Sequence, residues 1–270
     1  NSNGLLELSD TISSNSDTSR YAAVTDFNND GMDDIFLPTT SSYNEALAAL
    51  QLSDMSTHWE SSGDYDDNIG VINAYDLNDD GFDDAVYVNN GNIDAIDIEN
   101  QVVLASYQFE GYIKDFALAS ANNKHLLAVS QNNQLVLLYK SANNFAELDF
   151  ADINCLRVEF ANLDDDAALE LLCIEGSDYY WSDTKSKIIA YDIATESLVE
   201  LNKVELSFNI LDVAVDTTSD NERSLLVTTQ IGNDYSYYDE QNKYQISKMT
   251  IDGDVVWSSP ALIGRPSHRG

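Results

Sequence analysis

A short acidic motif, rewritten along the chain at a near-regular interval, constrains the fold more than any other feature. "DFNNDGMDDIFLP" opens at Asp26 and "DLNDDGFDDAVYV" opens at Asp76, fifty residues later. Weaker copies, "NLDDDAALELLCI" and "DTTSDNERSLLV", open at Asn162 and Asp216. The step from Asp76 to Asn162 is two periods of 43. The copy missing between them falls in "FALASANNKHLLAVS", which keeps the hydrophobic flanks and has lost the acidic loop. Five units of 43 to 57 residues therefore follow one another without a break. Repeats of that length are single supersecondary units that must stack on neighbours to bury a core.

Each unit reads as four short strands. In the second they fall near residues 70–75, 84–88, 92–97 and 101–108, and in the third near 113–119, 124–129, 134–140 and 145–150. Asn- and Gly-rich turns such as "NNGN" and "QNNQ" separate them. "NEALAALQL" (44–52) has helical propensity, but its place in the repeat makes it a third strand. Four-stranded units at this period imply an all-β fold, a β-propeller with five recognisable blades at about 21–67, 69–111, 113–154, 155–207 and 208–264. "LLEL" (5–8) reads as the outer strand of a preceding blade, and "GRPSHRG" stands where a following one should begin. The expectation is an incomplete ring belonging to a longer chain. Asn1, in place of a methionine, agrees with that.

The acidic loop asks for a cation. Counting from Asp26, oxygen side chains fall at positions 1, 3, 5 and 9: Asp26, Asn28, Asp30 and Asp34. Met32 at position 7 would add its backbone carbonyl, and Gly31 at position 6 permits a left-handed turn. The second loop repeats the set with Asp76, Asn78, Asp80, Phe82, Asp84 and Gly81. Calcium takes six to eight oxygens in flexible geometry, which such a loop with water can supply. An EF-hand would need glutamate at position 12, where Leu37 and Tyr87 stand, and its flanks would be helices. It is excluded.

Composition agrees with a cation-loving surface. The chain has 270 residues, and 13 Lys+Arg against 47 Asp+Glu give a net charge of −34. That charge argues against nucleic acid as a partner, because phosphates would be repelled. It also disfavours anionic lipid surfaces. No apolar run approaches 18 residues, so no membrane insertion by a helix is expected. A secreted or cell-surface setting, where salt screens and divalent cations neutralise part of the surplus, fits this balance. A solvated acidic surface on a cytoplasmic protein is the alternative.

The spacing with aspartate at position 9 and an apolar strand after it resembles the calcium loops of FG-GAP and VCBS-type repeats, also found in the integrin alpha-subunit propeller. That resemblance implies loops joining the first and second strands of each blade, on the face opposite the ligand-binding surface, with Ca2+ as the bound ion. The Phe-Gly and Gly-Ala-Pro elements are missing, so the VCBS-like branch is the better comparison. "IIAYDIATESL" and "IDGDVVW" resemble PQQ-type propeller repeats in addition. In the third loop Asn162, Asp164, Asp166 and Glu170 keep four oxygens, but Ala167 replaces the glycine and weaker binding is expected. The last copy (Asp216, Thr218, Asp220, Ser224) keeps two carboxylates, and an empty loop is expected. Asx-turns without any ion are the alternative throughout.

Other chemistry is thin. His58, His125 and His268 form no HExxH, and no GxSxG, P-loop or GxGxxG occurs. Two long insertions, "EGSDYYWSDTK" (175–185) and "IGNDYSYYDEQNK" (231–243), follow the second strand in units four and five. Their aromatics, Tyr179, Tyr180, Trp181, Tyr235, Tyr237 and Tyr238, suit a face that binds a protein or glycan; packing over a neighbouring blade is the alternative. Cys155 and Cys173 flank the third loop. Strands paired with index sum 328 would set them directly opposite, giving a disulfide or else two buried thiols. The function expected is a calcium-binding interaction module, with a polysaccharide-lyase-like enzyme or a structural part of an adhesin as alternatives.

Overall fold

The computed structural model describes residues 22–41, 44–54, 56–61, 69–163, 168–176, 185–217, 223–231 and 243–263. Every regular element among them is a strand. Sheet one holds β1 (Ala23–Thr25), β2 (Asp34–Ser41), β3 (Asn44–Gln51) and β4 (Thr57–Glu60). Sheet two holds β5 (Ile69–Tyr75), β6 (Asp84–Asn89), β7 (Asn92–Asp97) and β8 (Val102–Gln108). Sheet three holds β9 (Ile113–Ala121), β10 (Lys124–Gln131), β11 (Gln134–Ser141) and β12 (Asn144–Ala151). In sheet four are β13 (Cys155–Ala161), β14 (Glu170–Glu175), β15 (Lys187–Asp192) and β16 (Val199–Glu205). Sheet five has β17 (Ile210–Thr217), β18 (Arg223–Ile231), β19 (Lys243–Thr250) and β20 (Val255–Ser258), with the short β21 (Leu262–Ile263) also pairing β19. Each sheet runs in chain order, strand beside next strand. The helix-prone "NEALAALQ" is β3, because its cross-strand partners on β2 leave it no other place.

The chain divides into two compact units, residues 1–90 with 95–103 and residues 91–94 with 104–270. In the second unit, sheet four shows why these sequences make sheets stacked on both sides. Leu171 and Cys173 enter one core with Ala128, Leu135 and Leu137 of sheet three. Their neighbours Leu172 and Ile174 enter another with Val213, Leu225 and Met249 of sheet five. Successive side chains of a strand point to opposite faces, so a middle strand covered on both reads as an unbroken apolar run. The fourth strands carry one covered face at most, and Val199, Leu201, Val255 and Trp257 lie exposed.

In the first unit Phe27, Phe36, Leu47 and Ala49 share one core with Ile72, Ala85, Tyr87 and Ile98. The Phe36 and Tyr87 rings sit 6.1 Å apart, tilted. Phe27, the second residue of the first acidic loop, belongs to that core, and Leu77, at the same place in the second loop, is likewise fully buried.

Irregularities recur at matching places. Register shifts interrupt the pairing of first with second strand near Ile69–Ile72, Cys155–Arg157 and Ile210–Asp212. The pairing around the second of these corrects the sequence reading of the cysteines. Beyond the shift Val158 faces Cys173 and Phe160 faces Leu171, while Cys155 pairs with Glu175. The two cysteines are thus not directly opposite: the pairing beside the loop, Ala161 with Glu170, already sets a register that carries Cys155 past Cys173, and the bulge in β13 moves its partner by one residue only. They are joined as a disulfide, their Cα atoms 5.4 Å apart.

Candidate functional site

The four acidic segments occupy one topological position. Residues 26–33, 76–83, 162–169 and 218–222 each join the first strand of a sheet to its second. The flanks of the first two are already closed hairpins, with Thr25 paired to Asp34 and Tyr75 paired to Asp84.

Each of these two loops wraps around its own carboxylates. Asp26 accepts hydrogen bonds from the Asp30 N–H (3.0 Å) and the Gly31 N–H (2.8 Å), and Asn28 Oδ1 accepts from Asp30 N–H at 3.0 Å. Asp30 Oδ1 in turn accepts from Met32 N–H at 2.9 Å. The second loop repeats the network: Asp80 N–H to Asp76 and Asn78, Gly81 N–H to Asp76, Phe82 N–H to Asp80. The wrap needs left-handed backbone at two positions, Asn29 (φ 54°) with Gly31 (φ 84°), and Asp79 (φ 61°) with Gly81 (φ 91°). No atom would meet a Cβ at either glycine, so the dihedral angle, not space, selects glycine there.

Position 9 carries a buried carboxylate. Asp34 and Asp84 are fully covered, and each takes the N–H of the loop's second residue, Phe27 at 3.2 Å and Leu77 at 2.8 Å. Glu170 accepts from Leu163 N–H in the same way, so its longer side chain performs the same task. Burial pushes the Asp84 carboxyl up to about 7, with the charges of Asp97, Asp80 and Asp76 adding to the shift. Asp34 is raised for the same first reason, and Asp30 and Asp26 contribute. The carboxylates of each loop therefore feel one another at short range.

Cross-strand contacts brace the loops in ways the repeat pattern does not spell out. Gln51 at the end of β3 donates its amide to Asp30, and Asn78 donates Nδ2 to Asp97 at the end of β7 (3.3 Å). Thr25 donates its hydroxyl to Asp83, tying the residue before one loop to the last residue of the other. These residues lay outside the sequence reading. The available signal was their register, the last position of a third strand and the position preceding the loop.

The donor set suits a hard cation, being all oxygen and largely carboxylate. One observation fits such a group directly: Asp34 Oδ1 is buried without a hydrogen-bond partner. Carboxylate oxygens carry more lone pairs than the backbone N–H groups here occupy. Among the described residues, however, no three His, Cys, Asp or Glu side chains are drawn together as a closed cage. The loops stand as Asx-type turns whose oxygens would have to move inward to grip an ion.

The remaining sequence candidates divide. Asp164, Asp166 and Ala167 lie outside the described residues, as do Thr218, Asp220, Tyr179, Tyr180, Trp181, Tyr235, Tyr237, Tyr238 and His268. The Asp216 side chain lies outside them too; Ser224 is buried, and its hydroxyl lacks a partner. His125 faces Ser120 across a hairpin, and His58 is in β4.

No protein-family model matches the chain, and no curated protein resembles it in sequence. Solved structures do resemble it. A hydrazine synthase chain of Kuenenia stuttgartiensis superposes with a TM-score of 0.61 at 12% identity, over 98% of this chain and 71% of that one. BBS1N, solved in complex with ARL6DN, gives 0.56 at 11% identity over 94% and 87%. The Dos1 propeller gives 0.54 at 15% identity over 92% and 62%. The fold is that of a β-propeller. At these identities the likeness speaks for the fold and for nothing finer.

Proposed function

We propose that this propeller is a calcium-binding interaction module of the VCBS type, acting outside the cell or on its surface. The observation that carries the reading is the contrast at one joint. Sheet three closes its first hairpin with Asn122 and Asn123 alone, both left-handed at φ 53° and 58°. A blade of this fold therefore does not require residues 26–33 or 76–83 to connect its strands. Their buried second residues, Phe27 and Leu77, account for one position of each loop and not for the oxygens at positions 1, 3, 5 and 9. A bound Ca2+ accounts for those, for the mutual repulsion of the carboxylates and for the orphaned Asp34 oxygen. Asp26, Asn28, Asp30 and Asp34 with the Met32 carbonyl would hold the first ion. Asp76, Asn78, Asp80 and Asp84 with the Phe82 carbonyl would hold the second. The Asn162 loop, with Glu170, is the weaker third site.

The Cys155–Cys173 disulfide supports an oxidising compartment, since such bridges persist outside the cytosol. The partner, a protein or a glycan, is expected at the opposite ends of the strands. There the segments 176–186 and 232–242, rich in tyrosine, link second to third strands in sheets four and five.

Calorimetric titration with calcium chloride tests the reading. Two sites with dissociation constants of about 10⁻⁴ to 10⁻³ M are expected, as for extracellular modules. Asp30→Ala should remove one and Asp80→Ala the other. No heat in the native protein, with no change in either variant, refutes it.

A further inference from the structure

The first acidic loop holds a polar atom that its own turns leave unused. Asp34 is fully buried, and its Oδ2 accepts the Phe27 N–H, so the carboxyl is turned toward the loop. Asp34 Oδ1 has no partner, and among the described residues it is the one carboxylate oxygen buried in that state. The charges of Asp30 and Asp26 act on the same carboxyl. A buried acceptor without a donor is costly, and folded proteins meet such an atom with a donor, a water or an ion.

Two residues flank Asp34 across the sheet, Thr25 on β1 and Gln51 on β3. Directly paired residues of an antiparallel sheet project from the same face. Neither of them serves Asp34 Oδ1. The Thr25 hydroxyl goes to Asp83, and the Gln51 amide goes to Asp30 Oδ2. The backbone holds Gln51 in place for this contact. Its N–H donates to the Ser56 carbonyl at 2.9 Å, and the following N–H, of Leu52, donates to the Asp33 carbonyl at 3.3 Å. An amide from the third strand therefore lies beside the carboxylate at loop position 5. In sheet two the last residue of the third strand, Asp97, is bonded instead to Asn100 and Asn78.

We propose that Gln51 is a further ligand of the first calcium site, presenting its Oε1 beside Asp30 when the ion is bound. The proposal rests on the calcium reading above and adds a donor from a neighbouring strand, which the repeated loop pattern does not contain. A side-chain amide has a donor end and an acceptor end of nearly the same shape. Without a cation the nitrogen faces the Asp30 carboxylate, as its charge demands. Turned end for end, the same amide puts an oxygen in that place. Asp26, Asn28, Asp30, Asp34 and the Met32 carbonyl fall short of the six to eight oxygens that calcium takes, and Gln51 brings the set into that range.

Calcium chloride titrations of the whole chain carrying Asp80→Ala, which keeps the first site, give the test. Gln51→Leu in that background should weaken binding by about tenfold or more, since even an outer partner of a metal ligand is worth about that much. Gln51→Glu should tighten it, because a charged oxygen replaces a neutral one and affinity follows ligand charge. A Gln51 that only braced Asp30 through its N–H predicts the opposite sign. Glutamate has no donor and would repel Asp30, so binding would weaken. In the Asp30→Ala protein, which keeps the second site, neither change should move the isotherm. Unchanged affinity in Gln51→Leu, binding no tighter in Gln51→Glu, or an equal loss at the second site overturns the proposal and leaves the calcium reading standing. No binding by the native protein overturns both.

Discussion

Between β9 and β10 the chain reverses with Asn122 and Asn123, whereas between β1 and β2 it uses the whole of residues 26–33. The hairpins on either side are alike. Ala121 pairs with Lys124 as Thr25 pairs with Asp34 and Tyr75 with Asp84. The short turn meets its backbone requirement with two residues that tolerate left-handed dihedrals. The long loops meet theirs with a glycine, a second left-handed residue and carboxylates that cap internal N–H groups. One hydrophobic residue from each loop, Phe27 or Leu77, reaches the core. Connection needs two residues and the core contact needs one. What remains at the long joints is a set of oxygens whose charges raise the Asp34 and Asp84 carboxyls, on top of the larger effect of burial.

The comparison can be broken most forcefully at the core contact. Phe27→Ala and Leu77→Ala should each cost about 3 to 5 kcal/mol, as large-to-small changes in a packed core do. The loss should be the same with or without calcium, read from urea unfolding under both conditions. If calcium restored most of the lost stability, the hydrophobic residue and the oxygens would be one device, and the separation drawn between them would fail.

Sheet four presents a third arrangement, in which a disulfide lies behind the loop opening at Asn162 and links the two strands that carry it. The closed segment between Cys155 and Cys173 corresponds to a stabilisation of about 3 kcal/mol in the chain-entropy view. Cys155→Ala with Cys173→Ala should lower stability by that amount, and reduction of the native protein should add about two daltons to its intact mass. A mass unchanged by reductant, with full alkylation of both thiols beforehand, would show that the bridge does not form.

Calcium should act next in size, and only at the long loops. An ion that binds the native state alone stabilises by about 2.7 kcal/mol per site at a hundredfold excess over its dissociation constant. For a chain of this length each kcal/mol raises the melting temperature by about 2 to 4 °C. Asp30→Ala and Asp80→Ala should each remove one site's share of the shift. A calcium-dependent shift left at full size by both changes would move the ion away from these two loops.

Much of this arrangement is legible in the residues themselves. The strands of sheets two and three fall within about two residues of where alternation and Asn-Gly turns put them. The placing of "NEALAALQ" as a strand against its own propensity follows from the repeat, because a missing third strand would leave a sheet uncovered. The cysteine register was misjudged for a physical reason. The hairpin closes with Ala161 opposite Glu170, a register fixed by the length of the loop between them, and nothing local in "INCLRVEF" marks it. For Gln51, Asp97 and the Thr25–Asp83 bond the sequence offers only their places, the last position of a third strand and the position before a loop, because the contacts themselves depend on strand register and packing.

The smallest expected effect is the control on which the comparison depends. Asn123 is held at φ 58°, a region that costs ordinary L-residues about 1 to 2 kcal/mol and glycine almost nothing. Asn122, by contrast, also donates its side chain to the Ala194 carbonyl, so Asn123 isolates the backbone requirement more cleanly. Asn123→Ala should therefore lower stability by about 1 kcal/mol, while Asn123→Gly should stay within a few tenths of the native protein. Neither change should alter the calcium isotherm, because the turn offers no carboxylate of its own. Paired urea titrations, with calcium and with chelator, give the readout. If the cost of Asn123→Ala depended on calcium, an ion would be acting at a joint without the acidic loop. The loops at Asp26 and Asp76 would then lose their claim to be its reason.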